Sequence, residues 1–144
     1  MIKRNLILAG IIAFAFFMRI YALDSSPPGF NADEAALGYN AYSLLKTGKD
    51  EWGVSYPLTF KSFSDYKPGI YVYLALPFIY IMGLTELAVR LPSILLGTLS
   101  VFLVYLLSKK LFQNERFALA GAFLAAFFVA FLAAFLAFAI IMRI

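Results

Sequence analysis

Two features limit the chemistry open to this chain of 144 residues: it has no histidine and no cysteine. The commonest general base and metal ligand is therefore missing, and so is any thiolate nucleophile. Catalysis would have to rest on carboxylates, Lys and Arg, Tyr and backbone groups. The adjacent acids Asp33-Glu34 are the first candidates. At a membrane surface such a pair can act as a general base with a neighbouring orienting acid. The same pair also suits an ordinary helix start, where the helix dipole favours anions. Lys67, between Asp65-Tyr66 and Pro68-Gly69, reads either as a cation for a lipid phosphate or as a snorkelling lysine. Arg19, at the far end of the first apolar run, has the same two readings. Arg90, just before Leu91-Pro92, reads most simply as an anchor at a helix entry. Tyr66, Tyr71, Tyr73, Tyr80 and Trp52 could stack on a sugar or form an interfacial aromatic belt.

The elements that position these residues are set by composition. The chain is 63% hydrophobic and 14% charged, with a net charge of +4. Soluble domains carry about 25% charged residues, so lipid is the expected solvent. The basic residues are scattered rather than run together, which argues against a nucleic-acid partner. Residues 5–22 form the first apolar run behind Lys3 and Arg4. The run is long for a signal-peptide core, and Arg19-Ile20-Tyr21 is a poor cleavage site, so it reads as an uncleaved span with a cytoplasmic N-terminus. Residues 91–107 and 117–142 form two further spans. The last carries a small-residue stripe from Ala118 through Ala122, Ala126, Ala130 and Ala133 to Ala137, which reads either as a face for close packing in lipid or simply as a low-complexity span.

Between the first two spans lies a polar stretch, residues 24–67, with six of the eight carboxylates. Pro27-Pro28-Gly29 predicts a rigid turn. Asn31 suits an N-cap and Gly48 a C-cap, and Leu37, Ala41, Leu44 and Leu45 follow helical spacing. That pattern predicts a short amphipathic helix whose apolar face lies on lipid. Residues 68–84 are apolar but short and interrupted by Pro77. Counting basic residues in the loops favours leaving this segment on the surface or re-entrant, because Lys109, Lys110 and Arg116 then fall inside. The expected fold is all-α and integral to the membrane. It has three transmembrane helices (1–23, 91–108 and 116–142) and two juxtamembrane helices in an outer loop, 24–90. The expected location is the plasma membrane.

The stretch PPGFNADEAALGYNAYSLLKTGKDEWGVSYPLTFKSFSDYKPGIYVYL, followed by GLTELAVRLPSILLGTL, resembles the N-terminal region of glycosyltransferases that use lipid-linked sugars. The similar families are the protein O-mannosyltransferases and the aminoarabinose transferases of lipid A, within the GT-C superfamily. The shared pattern is an Asp-Glu pair in the first outer loop, then Lys-Pro, then Ala-Val-Arg-Leu-Pro before a span. It covers residue 19 to about 116 and fades after about 124. The resemblance implies that Asp33 is the catalytic acid with Glu34 its neighbour, and that Lys67 holds the carrier-lipid phosphate. It gives Arg90 no catalytic role. It implies a polyprenyl-phosphate-linked sugar and membrane lipid as partners, and it leaves a divalent metal as an open cofactor. Family members are several times longer, so the resemblance also implies that the remainder of the enzyme, or other membrane helices, would complete the cleft and that the isolated chain would not turn over. A non-catalytic membrane protein that keeps this module for assembly or lipid binding is the alternative.

The charge pattern gives a direct test of topology. Single cysteines introduced into this cysteine-free chain should react with an impermeant thiol reagent from outside at position 86 and be protected at position 113. External labelling at 113 but not at 86 would reverse the arrangement.

Overall fold

The computed structural model describes residues 2–21, 29–62 and 65–141; Pro27 and Pro28, where the sequence predicts a rigid turn, lie outside them. The elements in chain order are α1 (Ile2–Ile20), α2 (Ala32–Thr47), β1 (Thr59–Ser62), β2 (Asp65–Pro68), α3 (Ile70–Met82), α4 (Glu86–Phe112) and α5 (Glu115–Ile141). The chain divides into two compact units. One is Pro27–Ser93, and the other is Met1–Ser26 with Ile94–Ile144.

In the second of these, α1 packs against α5, and the rest of α4 joins them. Ala15, Val101, Tyr105, Ala118, Ala122 and Ala126 form its buried centre, flanked by Leu8, Ile11, Phe102 and Leu119. Three members of the alanine stripe are thus buried as a packing face; Ala130, Ala133 and Ala137 fall outside the described side chains. Gly121 lets α4 and α5 approach closely, since a Cβ there would sit 2.6 Å from Ser108 Oγ. At one end of the unit Glu115 accepts from Arg4 Nη1 at 3.0 Å and from Tyr105 Oη at 2.8 Å, and lies 2.6 Å from Lys109 Nζ. Hydrogen bonds from Lys109 and Tyr105 hold the Glu115 carboxyl below the usual carboxylate range. This cluster puts the start of α1 beside the turn between α4 and α5. Around the outside, Leu95, Leu96, Leu99, Leu103, Leu106 and Leu107 of α4 are exposed. So continuous an apolar surface suits lipid and not water. Among the described residues, α4 is the one helix long and apolar enough to cross a bilayer.

The unit Pro27–Ser93 is built around α2 and α3. Helix α2 begins and ends on the residues that the sequence marks. Asn31 Oδ1 accepts the Glu34 amide at 2.8 Å, and Glu34 returns a contact to the Asn31 amide, a complete capping box. Gly48 closes the helix in the left-handed region at φ 69°, its amide bonded to the Leu44 carbonyl. The apolar face of α2 lies elsewhere than expected. Ala41 and Leu44 are buried, and Leu37 packs beside them, in a core with Phe60, Val72, Ala75, Ile79, Ala88 and Val89. Protein covers this face, not lipid; of the four residues named for it, Leu45 remains partly exposed. The close approach is visible at Gly38, where a Cβ would lie 2.8 Å from Val89.

The all-α expectation is corrected by the ribbon of β1 and β2, which pair antiparallel with Phe60 opposite Lys67 and Lys61 opposite Tyr66. Along β1, side chains alternate between exposed and buried, and Phe60 is the anchor, 1% exposed. Four-residue strands in a polar stretch give too little alternation to read from sequence. Helix α3 follows the ribbon at once and has 13 residues. At 1.5 Å per residue that is about 20 Å, short of the roughly 30 Å of a hydrocarbon core.

Gly69 joins ribbon to helix. Its amide donates to the Leu58 carbonyl at 3.0 Å, and a Cβ there would meet that same oxygen at 2.5 Å. The neighbour is backbone and cannot rotate away. Gly69→Ala should therefore lower stability by about 1–3 kcal/mol, the usual cost of overpacking. Thermal unfolding in detergent measures it; an unchanged midpoint would mean that the junction is looser than described.

Candidate active site

Asp33 and Glu34 sit in the first turn of α2. Successive helical residues point about 100° apart, so the two carboxylates meet different partners. Asp33 forms an ion pair with Lys67 Nζ. The pair is lopsided: the Asp33 side chain is 75% exposed and that of Lys67 is 17% exposed. The lysine stem runs along protein while its charged tip reaches a carboxylate at the surface. Lys67 is held on β2 by its register opposite Phe60.

Glu34 turns to Arg90 of α4. Arg90 donates from Nε to Glu34 Oε1 at 3.0 Å and from Nη2 to Glu34 Oε2 at 2.8 Å. Nη2 also donates to the Gly29 carbonyl at 2.8 Å, and Nη1 reaches Glu86 at 3.4 Å. Arg90 is 8% exposed. A bidentate guanidinium–carboxylate pair is directional and strong, and removing one partner of a buried pair typically costs about 3–5 kcal/mol. Glu34 therefore has both oxygens engaged, in the Arg90 clamp and in the capping box. Arg90 does more than anchor a helix entry. It fixes the start of α4 to the start of α2, and so fixes the backbone that carries Asp33.

The aromatic candidates separate into two groups. Tyr71 Oη donates to the Val89 carbonyl at 2.8 Å, and burial pushes its phenol above the ordinary value, which keeps it a donor. Tyr73 Oη donates to the Pro57 carbonyl at 2.9 Å, and its ring meets Phe60 at 6.0 Å. Both are struts. Trp52, Tyr66 and Tyr80 are exposed. Arg19 belongs to the other unit. Its Nη1 donates to the Ala15 carbonyl at 2.8 Å, its Nη2 is buried without a hydrogen-bond partner, and Gly97 gives it room. Among the described residues no group of three or more Asp or Glu is placed to hold a metal ion.

A second polar arrangement was not read from the sequence. Asn40, 2% exposed in the middle of α2, donates from Nδ2 to Glu51 Oε1 at 3.2 Å and accepts the Glu51 amide on Oδ1 at 3.1 Å. The loop bearing Glu51 is built by Asp50, whose Oδ1 accepts the amides of Trp52 at 2.9 Å and Val54 at 2.8 Å. The Trp52 indole then donates to the Lys61 carbonyl at 2.9 Å. Between this loop, α2 and β1 opens a cleft of about 470 Å³ whose wall includes Ala32, Tyr39, Glu51, Trp52 and Ser62. The signal available in the sequence was Asn40 itself, a polar residue at helical spacing with Leu37, Ala41 and Leu44.

A family model for dolichyl-phosphate-mannose-protein mannosyltransferase matches residues 66–142. No curated protein and no solved structure matches the chain. The family match runs on to 142, past the point near 124 where the sequence resemblance was expected to fade. It takes in Lys67 and Arg90 and begins after Asp33 and Glu34, which reach it through the two ion pairs above. More than half of the sequence lies inside this match, and the chain belongs to the dolichyl-phosphate-mannose-protein mannosyltransferase family of membrane glycosyltransferases.

Proposed function

We propose that this chain carries the acceptor-activating and lipid-phosphate-binding loop of a glycosyltransferase. The reaction moves a sugar from a polyprenyl-phosphate donor to an acceptor hydroxyl at the outer face of the plasma membrane. The observation that carries the reading is the Asp33–Lys67 pair: a solvent-facing carboxylate against a largely covered lysine. At rest each neutralises the other. An arriving donor phosphate competes for Lys67 as a second anion, and the exchange frees the Asp33 carboxylate. Asp33 then accepts the proton of the acceptor hydroxyl while its oxygen attacks the anomeric carbon. The bond from that carbon to the phosphate oxygen breaks, its electron pair leaves with the polyprenyl phosphate, and the configuration inverts. Lys67 stabilises the charge that develops on the leaving phosphate. Glu34, clamped by Arg90, orients the turn that bears Asp33. Arg19 is a second candidate cation for lipid phosphate.

The same reading makes α1, α4 and α5 the three crossings, with α2 and α3 at the outer surface. The cluster of Arg4, Lys109 and Glu115 supports it, since it puts the N-terminus and the α4–α5 turn at one end, as three crossings with a cytoplasmic turn require. The length of α3 supports leaving it out of the count.

Two variants test the roles separately. In a family member carrying this loop, Asp33→Asn should lower sugar transfer by about 100-fold or more, the range of a lost general base, and leave donor binding nearly intact. Transfer at near wild-type rate would reduce Asp33 to a helix-start residue. Lys67→Ala should weaken binding of polyprenyl phosphate by about 1–3 kcal/mol, as loss of one charge-assisted contact does. Titration into the reconstituted chain reads this, and unchanged binding would remove Lys67 from the site.

A further inference from the structure

We propose that the cleft beside Asp33 is a binding site for a pyranose ring, with Glu51 receiving sugar hydroxyls and Tyr39 and Trp52 providing the apolar contact. The proposal rests on the transferase reading and adds to it a sugar subsite that neither Asp33 nor Lys67 forms. Three observations converge. The first is shape and lining. Ala32, Ala35 and Ala36 present only methyl groups along α2, on the wall of a cleft of about 470 Å³ that Tyr39 and Trp52 also line. That volume lies within the range of small-molecule sites.

The second is the carboxylate. Glu51 is solvent-exposed on a loop, yet it is not left to wander. The buried amide of Asn40 grips both its backbone and its Oε1. Burying an asparagine on the apolar face of a helix is costly unless its polar atoms are used. Here both are used, on the residue that lines the cleft. Among the described residues Glu51 has no cation partner, so its charge is available to donors from a ligand.

The third is the tryptophan. Its indole N–H is committed to the Lys61 carbonyl, and Lys61 Nζ stands 4.8 Å from the ring centroid. Lys61 is not part of the cleft wall. Trp52 is thus fixed in place, 57% exposed, and its role in the cleft is an apolar one. A carboxylate that accepts from adjacent hydroxyls, set against aromatic surface that meets the C–H groups of a ring, is the chemistry that recognises a saccharide. Ala32 ties this cleft to the residue next to it, Asp33. The ring could come from the lipid-linked donor or from a glycosylated acceptor, and the chemistry of the cleft serves either.

Trp52 is the chain's single tryptophan, so its emission reports on the cleft. The full chain, held in a detergent without a sugar headgroup, is titrated with methyl α-mannopyranoside, and with glycerol as a hydroxyl-bearing control. Expected is a saturable change in Trp52 emission with the glycoside and none with glycerol. Glu51→Gln keeps the Asn40 contact and removes the charge; it should raise the apparent Kd about tenfold. Tyr39→Ala removes a half-exposed ring and should also weaken binding several-fold. Competition by a polyprenyl-phosphate-linked mannose would assign the ring to the donor; simultaneous binding would assign it to the acceptor. Absence of a saturable change, or one that both variants leave untouched, overturns the proposal. Neither result touches the transfer assay of Asp33→Asn, so the two readings fail independently.

Discussion

The buried guanidinium of Arg90 is the constraint on which the unit Pro27–Ser93 depends. Its partners among the described residues include the Gly29 carbonyl, the Glu34 carboxylate and Glu86 one turn back on its own helix. None of these groups could be withdrawn without leaving charge or a polar atom stranded in a low-dielectric site. Arg90 thereby dictates where α2 starts relative to α4. That start is where Asp33 stands, and the ion pair from Asp33 to Lys67 carries the constraint on to the ribbon. From the ribbon it passes through Gly69 to α3. The order of dependence runs from a structural cation to a candidate catalytic anion.

The two acids of the Asp33-Glu34 pair divide their labour along this chain of contacts. Glu34 is committed to the fold, while the Asp33 side chain stays mostly in solvent, with Lys67 as its one partner among the described residues. A residue that must change partners during a reaction has to be held lightly, and one that must position it has to be held firmly. The pair meets both needs from adjacent positions. The Asn40–Glu51 arrangement repeats the pattern further along α2, with a buried amide fixing an exposed carboxylate.

Local signals were legible in the sequence. Asn31 and Gly48 mark both ends of α2 because capping is decided within a few residues, and the three buried members of the alanine stripe, Ala118, Ala122 and Ala126, follow from spacing alone. The Asp33 and Lys67 candidates came from residue type and resemblance, and the structure brings them into contact. What the sequence could not give was the identity of partners across distance. The period of Leu37, Ala41 and Leu44 says that one face of α2 is buried; it does not say whether lipid or α3 buries it, because both are equally apolar. Arg90 looked like an anchor because its partner Glu34 lies 56 residues away. The ribbon escaped notice because four residues are too few for a period of two. Arg19 was grouped with Lys67 on its charge and its place at the outer end of the first apolar run, and it belongs to the other unit.

The adjacency of Asp33 and Glu34 has an evolutionary consequence. The two differ by one methylene, and an exchange between them counts as conservative in any substitution table. Here the longer arm of Glu34 spans to Arg90 and back to the Asn31 amide, and the shorter arm of Asp33 meets Lys67. Reversing their order would keep composition, charge and helix propensity while giving each cation a carboxylate of the wrong reach. An exchange at either position thus carries a geometric cost that residue similarity does not register. The dipeptide behaves as an ordered word, not as two interchangeable letters.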